Sequence, residues 1–539
     1  MQFLFLIGFL AVFTDLTALA KTYDLEIKKQ NVFITGKAVK SITVNNSIPG
    51  PTLRFSEGED VIIRVKNLMD EKTSIHWHGI LLPGKMDGVP GLNGFNAIAP
   101  GQTFTYKFKV RQAGTYWYHS HFGTQEQQGL YGSIVITPQN PQKTPNQADR
   151  DYVIVLSDFT EENSRTILHN LKLDSGYYNY HKRTIFTFFQ DVKKKGCYTA
   201  LKDYLSWSKM RMDPTDLSDV SKYHFLLNGK TNNQNWTGIF KKGERVKLRF
   251  INASAMTIYD VSIPGLKMKL VEADGQPVKP ILVDEFRFGV AETYDLIVEP
   301  KENKAYTIFA ESLDRSGYAL GTLAPKAKMT GKIPPMRPRT ILNMSDMAMD
   351  NMKETDHDMD LMDMDEMTMD DIKKVRDPDI KKMYNVRSGW ANASTPAGHK
   401  ALSYFDLAAL HPQKDLRRPA RELEFRFGGS MNRYIWTING KKFPAPTYLK
   451  FGEKVRLKFI NNTMMAHPIH LHGMFMQIEN GQPLKWMPNK HTVIVPPAQT
   501  VSMLLTANEE GQWAFHCHML YHMESGMMTN IVVERTQDE

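Results

Sequence analysis

The sequence predicts an all-β protein built from three related domains, and three observations carry that expectation. The chain has 539 residues, far more than one hydrophobic core organises, so several domains are expected. One pattern recurs at wide spacing: Gly58-Glu59-Asp60-Val61-Ile62-Ile63-Arg64-Val65-Lys66-Asn67, Gly243-Glu244-Arg245-Val246-Lys247-Leu248-Arg249-Phe250-Ile251-Asn252 and Gly452-Glu453-Lys454-Val455-Arg456-Leu457-Lys458-Phe459-Ile460-Asn461. Each copy is a turn glycine followed by apolar and polar residues in alternation, the period of a half-buried strand. The hydrophobic share of 42% and aromatic share of 11% are those of a globular protein, not of a polytopic membrane protein or a disordered chain.

Along the chain, residues 1–20 read as an export signal: an apolar run ends in Ala18-Leu19-Ala20, the small-x-small pattern cut before Lys21. No Lys or Arg precedes the run and Asp15 interrupts it, so a short uncleaved anchor is the alternative. Nothing after residue 20 is apolar for long enough to span a bilayer, and no stable membrane insertion is expected after cleavage. The first domain is placed at 21–145, the second at 146–328, a Met- and Asp-rich connection at 329–399, and the third at 400–539. Within residues 160–222 a polar, aromatic stretch at 177–212 is expected to be partly helical and inserted at the start of domain 2.

Nine residues past the final Asn of each copy the domains diverge: His76-Trp77-His78, Val261-Ser262-Ile263 and His470-Leu471-His472. A strand puts residues i and i+2 on one face, so each His-x-His pair can offer two imidazoles to one site. The outer domains therefore supply ligands and the middle one is a spacer. A second pair of equivalents, Gly114 to His121 with His119-Ser120-His121 and Gly511 to His518 with His516-Cys517-His518, keeps the same offset from glycine to histidine. Carried further, His467 stands opposite Thr73, His522 opposite Gln125 and Met527 opposite Leu130.

The third domain thus holds four ligand-type residues that the first lacks: His467, Cys517, His522 and Met527. Two imidazoles, a thiolate and a weak thioether are the set of a blue-copper electron-transfer centre. The other eight histidines form four His-x-His pairs, two from each outer domain, and imidazoles in such number suit a copper cluster shared between domains. Cys517 lies between His516 and His518 on one strand and points to the opposite face from both.

His76-Trp77-His78-Gly79, Trp117-Tyr118-His119-Ser120-His121, His467-Pro468-Ile469-His470-Leu471-His472-Gly473 and His516-Cys517-His518 with His522 and Met527 resemble the four copper motifs of multicopper oxidases, closest to the bacterial copper-resistance protein A type. The resemblance extends to ligand-free stretches such as Met210-Arg211-Met212-Asp213-Pro214-Thr215-Asp216-Leu217. It implies three cupredoxin-like Greek-key β-sandwiches and four copper ions, one type 1, one type 2 and two type 3. By the same resemblance His76 and His470 hold the type 2 copper, and His78, His119, His121, His472, His516 and His518 the type 3 pair. Four one-electron deliveries then reduce dioxygen to two waters. Many relatives carry a twin-arginine export signal, which residues 1–20 lack; the bacterial periplasm is the expected location.

Water formation consumes protons, so carboxylates near the cluster matter. Asp87, in Met86-Asp87-Gly88, resembles the family's acid near the type 2 copper. Glu524 is the nearest acid after His522; some relatives place a carboxylate directly beside that histidine, where this chain has Met523. For His491, in Lys490-His491-Thr492, an ordinary histidine is the first reading and a place near the rim of the type 1 site the alternative; Cys197, the only other cysteine, is expected as an inert, partly buried thiol.

Nine of the 30 methionines lie between Met344 and Asp371. Met344, Met347, Met349, Met352, Met359, Met362, Met364, Met367 and Met369 alternate with acids and His357, and thioether sulfur is a soft ligand for Cu(I). The segment reads as a copper-recruiting insertion, with Cu(I) or another small reductant as electron donor and dioxygen as acceptor. A laccase-like phenol oxidase and a copper-sequestering protein without turnover are the alternatives. The net charge of +9 is scattered without a nucleic-acid motif, so no nucleic-acid partner is expected; no oligomeric state is readable.

Overall fold

The structure, a computed structural model, describes residues 21–535 apart from 141–145, 210–212, 340, 343–394 and 431–432. The described residues form six sheets, two for each copy of the repeat. The repeated segments become the strands Asp60–Asn67, Val246–Asn252 and Lys454–Asn461. Each has the same neighbours: a parallel partner (Lys21–Val32, Arg150–Phe159, Arg421–Ser430) and an antiparallel partner (Thr103–Lys109, Thr293–Val298, Thr500–Thr506). Three copies of one topology follow from three copies of one pattern.

The two ends of the repeat are fixed by chemistry. Gly58, Gly243 and Gly452 have φ of +87°, +84° and +79°, a left-handed turn that costs little only without a Cβ. The closing Asn67, Asn252 and Asn461 are buried. Their amides donate to backbone carbonyls of the following loop and of a neighbouring segment: Glu71 and Ile98, Thr257 and Phe288, Met465 and Val495. Each asparagine thereby ties down the loop that leads to the His-x-His position.

The middle copy departs from the expected half-burial, because Val246–Asn252 is buried along its whole length. Its polar side chains are enclosed at the junction with domain 1. Arg249 pairs with Asp295 at 2.8 Å and donates to Thr115 of domain 1 at 2.9 Å, and Lys247 pairs with Asp295 at 2.9 Å. One apolar core belongs to domain 1 and a second runs continuously through domains 2 and 3.

The stretch expected to be partly helical carries α2 (Ile185–Lys195) and α3 (Cys197–Lys209), and a further helix, α1 (Ser164–Leu173), precedes it. Asn163 caps α1 and a Thr184/Thr187 capping box starts α2. Cys197, at the start of α3, is exposed rather than partly buried. Among the described residues no helix is long and apolar enough to cross a membrane.

Candidate metal centres

The short strand His76–His78 pairs with Gly114–His119 so that His76 faces His119, and His467–Leu471 pairs with Gly511–Cys517 so that His470 faces His516. These two sheets of the outer domains meet face to face through imidazoles. His76 stacks on His472 with centroids 3.7 Å apart and His78 on His470 at 3.8 Å. All four His-x-His pairs enter this one buried cluster. In domain 2 the equivalent positions, Val261 and Ile263, are buried apolar side chains.

Five of the rings are anchored through Nδ1, whereas both nitrogens of His518 are buried without a protein partner. The Nδ1–H groups of His76, His470 and His516 donate to the carbonyls of Asp87 (2.9 Å), His491 (2.8 Å) and Cys517 (3.0 Å). That of His472 donates to the Asp87 carboxylate at 2.9 Å, and His119 Nδ1 lies 2.6 Å from the carboxylate of Glu126. The Nε2 atoms of His76, His119 and His470 are buried without a protein partner. His78 is inverted: its Nε2 faces His491 Nδ1 at 3.2 Å and its Nδ1 is the unpartnered atom.

Burial and crowding keep His78, His119, His470, His472, His516 and His518 neutral. Desolvation first, then neighbouring imidazoles, push His78, His119, His470, His472 and His518 well below the ordinary histidine range, and burial pushes His516 down to about 4. Neutral rings with free lone pairs are what a metal cation binds. A buried polar atom without a partner costs about 1–3 kcal/mol, and several occur here side by side. Donor triads His76/His78/His119, His76/His470/His472 and His121/His472/His516 each fall within 4.8 Å, so the residues present fit a group of bound metals.

A second centre lies on the other face of the Cys517 strand. The thiol Sγ is 3.6 Å from Nδ1 of both His467 and His522, and those two nitrogens are 3.1 Å apart. The remaining nitrogens are anchored: His467 Nε2 lies 2.8 Å from Thr463 Oγ1, and His522 Nε2–H donates to Asp219 at 2.7 Å. Met527 is fully buried, and its backbone bonds both Cys517 and His522 at 3.1 Å. Burial pushes the Cys517 thiol up, so a thiolate in this place calls for a cation, and a His2Cys set with a thioether suits copper.

Comparison with known proteins bears directly on this donor set. Three multicopper oxidase family models match residues 26–141, 150–327 and 417–537. The chain is 45% identical to copper resistance protein A of Escherichia coli, over 95% of this chain and 92% of that protein. The chain belongs to the multicopper oxidase family. A copper resistance protein A homolog of Pseudomonas syringae pv. tomato is 46% identical, with the same shares covered. In fold, the oxidase resembles the crystal structure of a multi-copper oxidase from Pseudomonas thermotolerans, with a TM-score of 0.62 at 20% identity, covering 96% of this chain and all of that one.

Membership makes the protein an oxidoreductase that carries four coppers, one type 1, one type 2 and two type 3, with dioxygen as electron acceptor. Of the residues singled out in the sequence, the structure brings together the eight cluster histidines, the Cys517 set and Asp87, which holds His76 and His472 at once. Among the described contacts Glu524 forms no hydrogen bond or ion pair with a cluster histidine; burial raises its carboxyl and Lys172 is the charge acting on it. Residues 344–369 lie outside the described residues.

Three neighbours of the ligands, Asp219, Glu126 and Asp274, carry no signal used in the sequence analysis, and a fourth, His491, lies elsewhere than the type 1 rim. Asp219 follows the family-like run 210–217 but carries no spacing signal toward His522. Glu126, the domain 1 counterpart of Met523, could have been found by extending the alignment of the two ligand strands one residue past Gln125. His491 lies at the His-x-His cluster, with its ring 4.6 Å from His78, and not at the type 1 rim. Asp274 belongs to domain 2 and reaches His491 only through the tertiary fold.

Proposed function

We propose that this oxidase takes electrons from Cu(I) at the Cys517 centre and reduces dioxygen at the histidine cluster, in copper resistance, after export to the periplasm. His467, Cys517, His522 and Met527 would hold the type 1 copper, His76 and His470 the type 2, and His78, His119, His121, His472, His516 and His518 the type 3 pair. Bound there, copper supplies one-electron oxidation of the donor and four-electron reduction of dioxygen to two waters.

The observation that carries this reading is the position of Cys517. Its sulfur meets His467 and His522 on one face, while the adjoining His516 and His518 rings, 5.4 Å apart, stand in the cluster on the other. The covalent path from Sγ to either ring is a few bonds of one strand. Asp87, bonded to one ligand from each outer domain, is placed to hold a proton for the cluster, since water formation consumes protons. Copper resistance is named in the relatives' descriptions, and the Met- and Asp-rich residues 344–369 have the soft donors that Cu(I) prefers.

Oxygen uptake decides the reading, measured on copper-loaded wild type and Cys517→Ser with Cu(I) and with a phenol. Uptake with Cu(I) that vanishes in the variant is expected; uptake with the phenol alone would make the protein a laccase, and none with either would leave storage. Deleting residues 344–371 should lower Cu(I) turnover and spare phenol oxidation, and equal loss of both would sink the recruiting role.

A further inference from the structure

We propose that domain 2, which lacks histidines at its ligand positions, sets the orientation of two cluster histidines through Asp274 and His491. Asp274 sits in the turn between strands Met268–Ala273 and Gln276–Val283 and is fully buried. Its own domain holds it: Asp274 N–H donates to the Thr293 carbonyl at 2.8 Å, and Thr293 N–H donates to Asp274 Oδ1 at 3.1 Å.

The other oxygen, Oδ2, belongs to domain 3. It accepts from the backbone N–H groups of His491 and Thr492, each at 3.1 Å, and Lys490 Nζ lies 3.1 Å away. Lys490 also reaches Glu292 of domain 2 at 3.0 Å, and Tyr404 donates to the same Glu292 oxygen at 2.6 Å. Lys490, Asp274 and Glu292 are 0% exposed. Charges buried so completely add little to stability beyond what apolar packing would give, so their placement is better explained by what they hold in position.

What they hold is the segment that touches two ligands. The His491 carbonyl accepts from His470 Nδ1–H at 2.8 Å, and His491 Nδ1 faces His78 Nε2 at 3.2 Å. Accepting the proton of His78 Nε2 leaves the His78 lone pair on Nδ1, the atom without a protein partner. The inversion of His78 among the cluster rings is therefore imposed by His491 together with Thr492, whose Oγ1 lies 3.3 Å from His78 Nε2 and 3.0 Å from His491 Nδ1, and both residues are held by Asp274. The fit is close: a Cβ on Gly79, directly after His78, would lie 2.5 Å from the His491 ring. Domain 2 acts as a clamp across the seam, and His491 and Asp274 are positioning residues of the cluster.

The inference rests on the ligand assignment proposed above, and its test separates the two. Copper per chain, the type 2 electron paramagnetic resonance signal, the type 1 visible absorption and the thermal midpoint of the copper-free protein are measured for wild type, His491→Phe, His491→Asn and Asp274→Asn. Phe keeps bulk without an acceptor, whereas the Asn side-chain oxygen can stand near the place of Nδ1. His491→Phe is expected to lose about 10-fold or more in affinity for the cluster coppers and to alter the type 2 signal. Its type 1 absorption and copper-free midpoint should stay at the wild-type values. His491→Asn should restore the wild-type signal and Asp274→Asn should shift it as His491→Phe does. Four coppers and an unchanged type 2 signal in His491→Phe would overturn the clamp, as would identical behaviour of Phe and Asn, or a fall of type 1 absorption and thermal midpoint in step. Fewer than four coppers in wild type would instead strike the ligand assignment.

Discussion

Thr73 and Gln125 meet through Oγ1 and Oε1 at 2.7 Å in domain 1, at the positions that His467 and His522 occupy in domain 3. Ser120, at the position of Cys517, donates to the same Gln125 oxygen at 2.9 Å. One scaffold is thus closed by hydrogen bonds in one domain and left for a metal in the other. Removing copper should therefore loosen domain 3 more than domain 1. We expect amide exchange in His467–Leu471 to speed up on copper removal while Asp60–Asn67 stays protected. The apparent stability should fall by about 4 kcal/mol relative to protein held at a thousandfold excess over its dissociation constant; equal loosening of both strands would contradict this.

Asp219 accepts from His522 Nε2–H at 2.7 Å and from the Tyr434 hydroxyl at 2.5 Å. A buried anion on the far nitrogen enriches the ring and favours the more highly charged metal state. Asp219→Asn should keep the type 1 absorption, raise the reduction potential of that centre and lower turnover about 10- to 100-fold. Redox titration beside oxygen uptake checks both; an unchanged potential would assign Asp219 a packing role only.

Glu126 places a carboxylate 2.6 Å from His119 Nδ1, and burial raises its carboxyl well above the usual range. Glu126→Leu should misalign His119 and cost about 10- to 100-fold in affinity for the type 3 coppers, with Glu126→Gln intermediate. Copper stoichiometry and the magnetic coupling of the pair are the readouts, and wild-type values in the Leu variant would exclude the role.

Much of this was legible in the sequence because strand periodicity is local. The repeat glycines, the closing asparagines and the two-residue spacing in His76-Trp77-His78 dictate strands and a shared face without knowledge of the fold. The contacts of Asp219 with His522 and of Asp274 with His491 join residues hundreds of positions apart, and no period in the chain records them. The burial of Lys247 and Arg249 was hidden for the same reason: alternation shows that one face is polar, not that another domain covers it.

Acid should unfold the copper-free protein in a defined window. Burial pushes His491 and His516 down to about 4 in the folded chain, against about 6.5 when unfolded. Between those values the unfolded state binds more protons, so stability is fully present above about pH 6.5 and is lost as pH falls toward about 4. Each such group contributes a slope of about 1.36 kcal/mol per pH unit. Circular dichroism of copper-free protein in urea, from neutral to acid, follows this; a flat profile across the window would show that these rings are solvated.

Gly88 offers the last test, because it fixes Asp87 from behind. Its φ is +82°, and a Cβ there would lie 1.8 Å from the carbonyl oxygen of Ile75, the residue before His76. Gly88→Ala must therefore both adopt a left-handed backbone, at about 1–2 kcal/mol, and push the backbone at Ile75 aside, at about 1–3 kcal/mol. The displacement falls on the Asp87 carbonyl that holds His76 and on the carboxylate that holds His472. The variant should lose about 2–5 kcal/mol of stability by urea titration and lose type 2 copper before type 1, because Cys517 lies on the far face of its strand. Parallel loss of both coppers would mean that the strain spreads beyond Asp87.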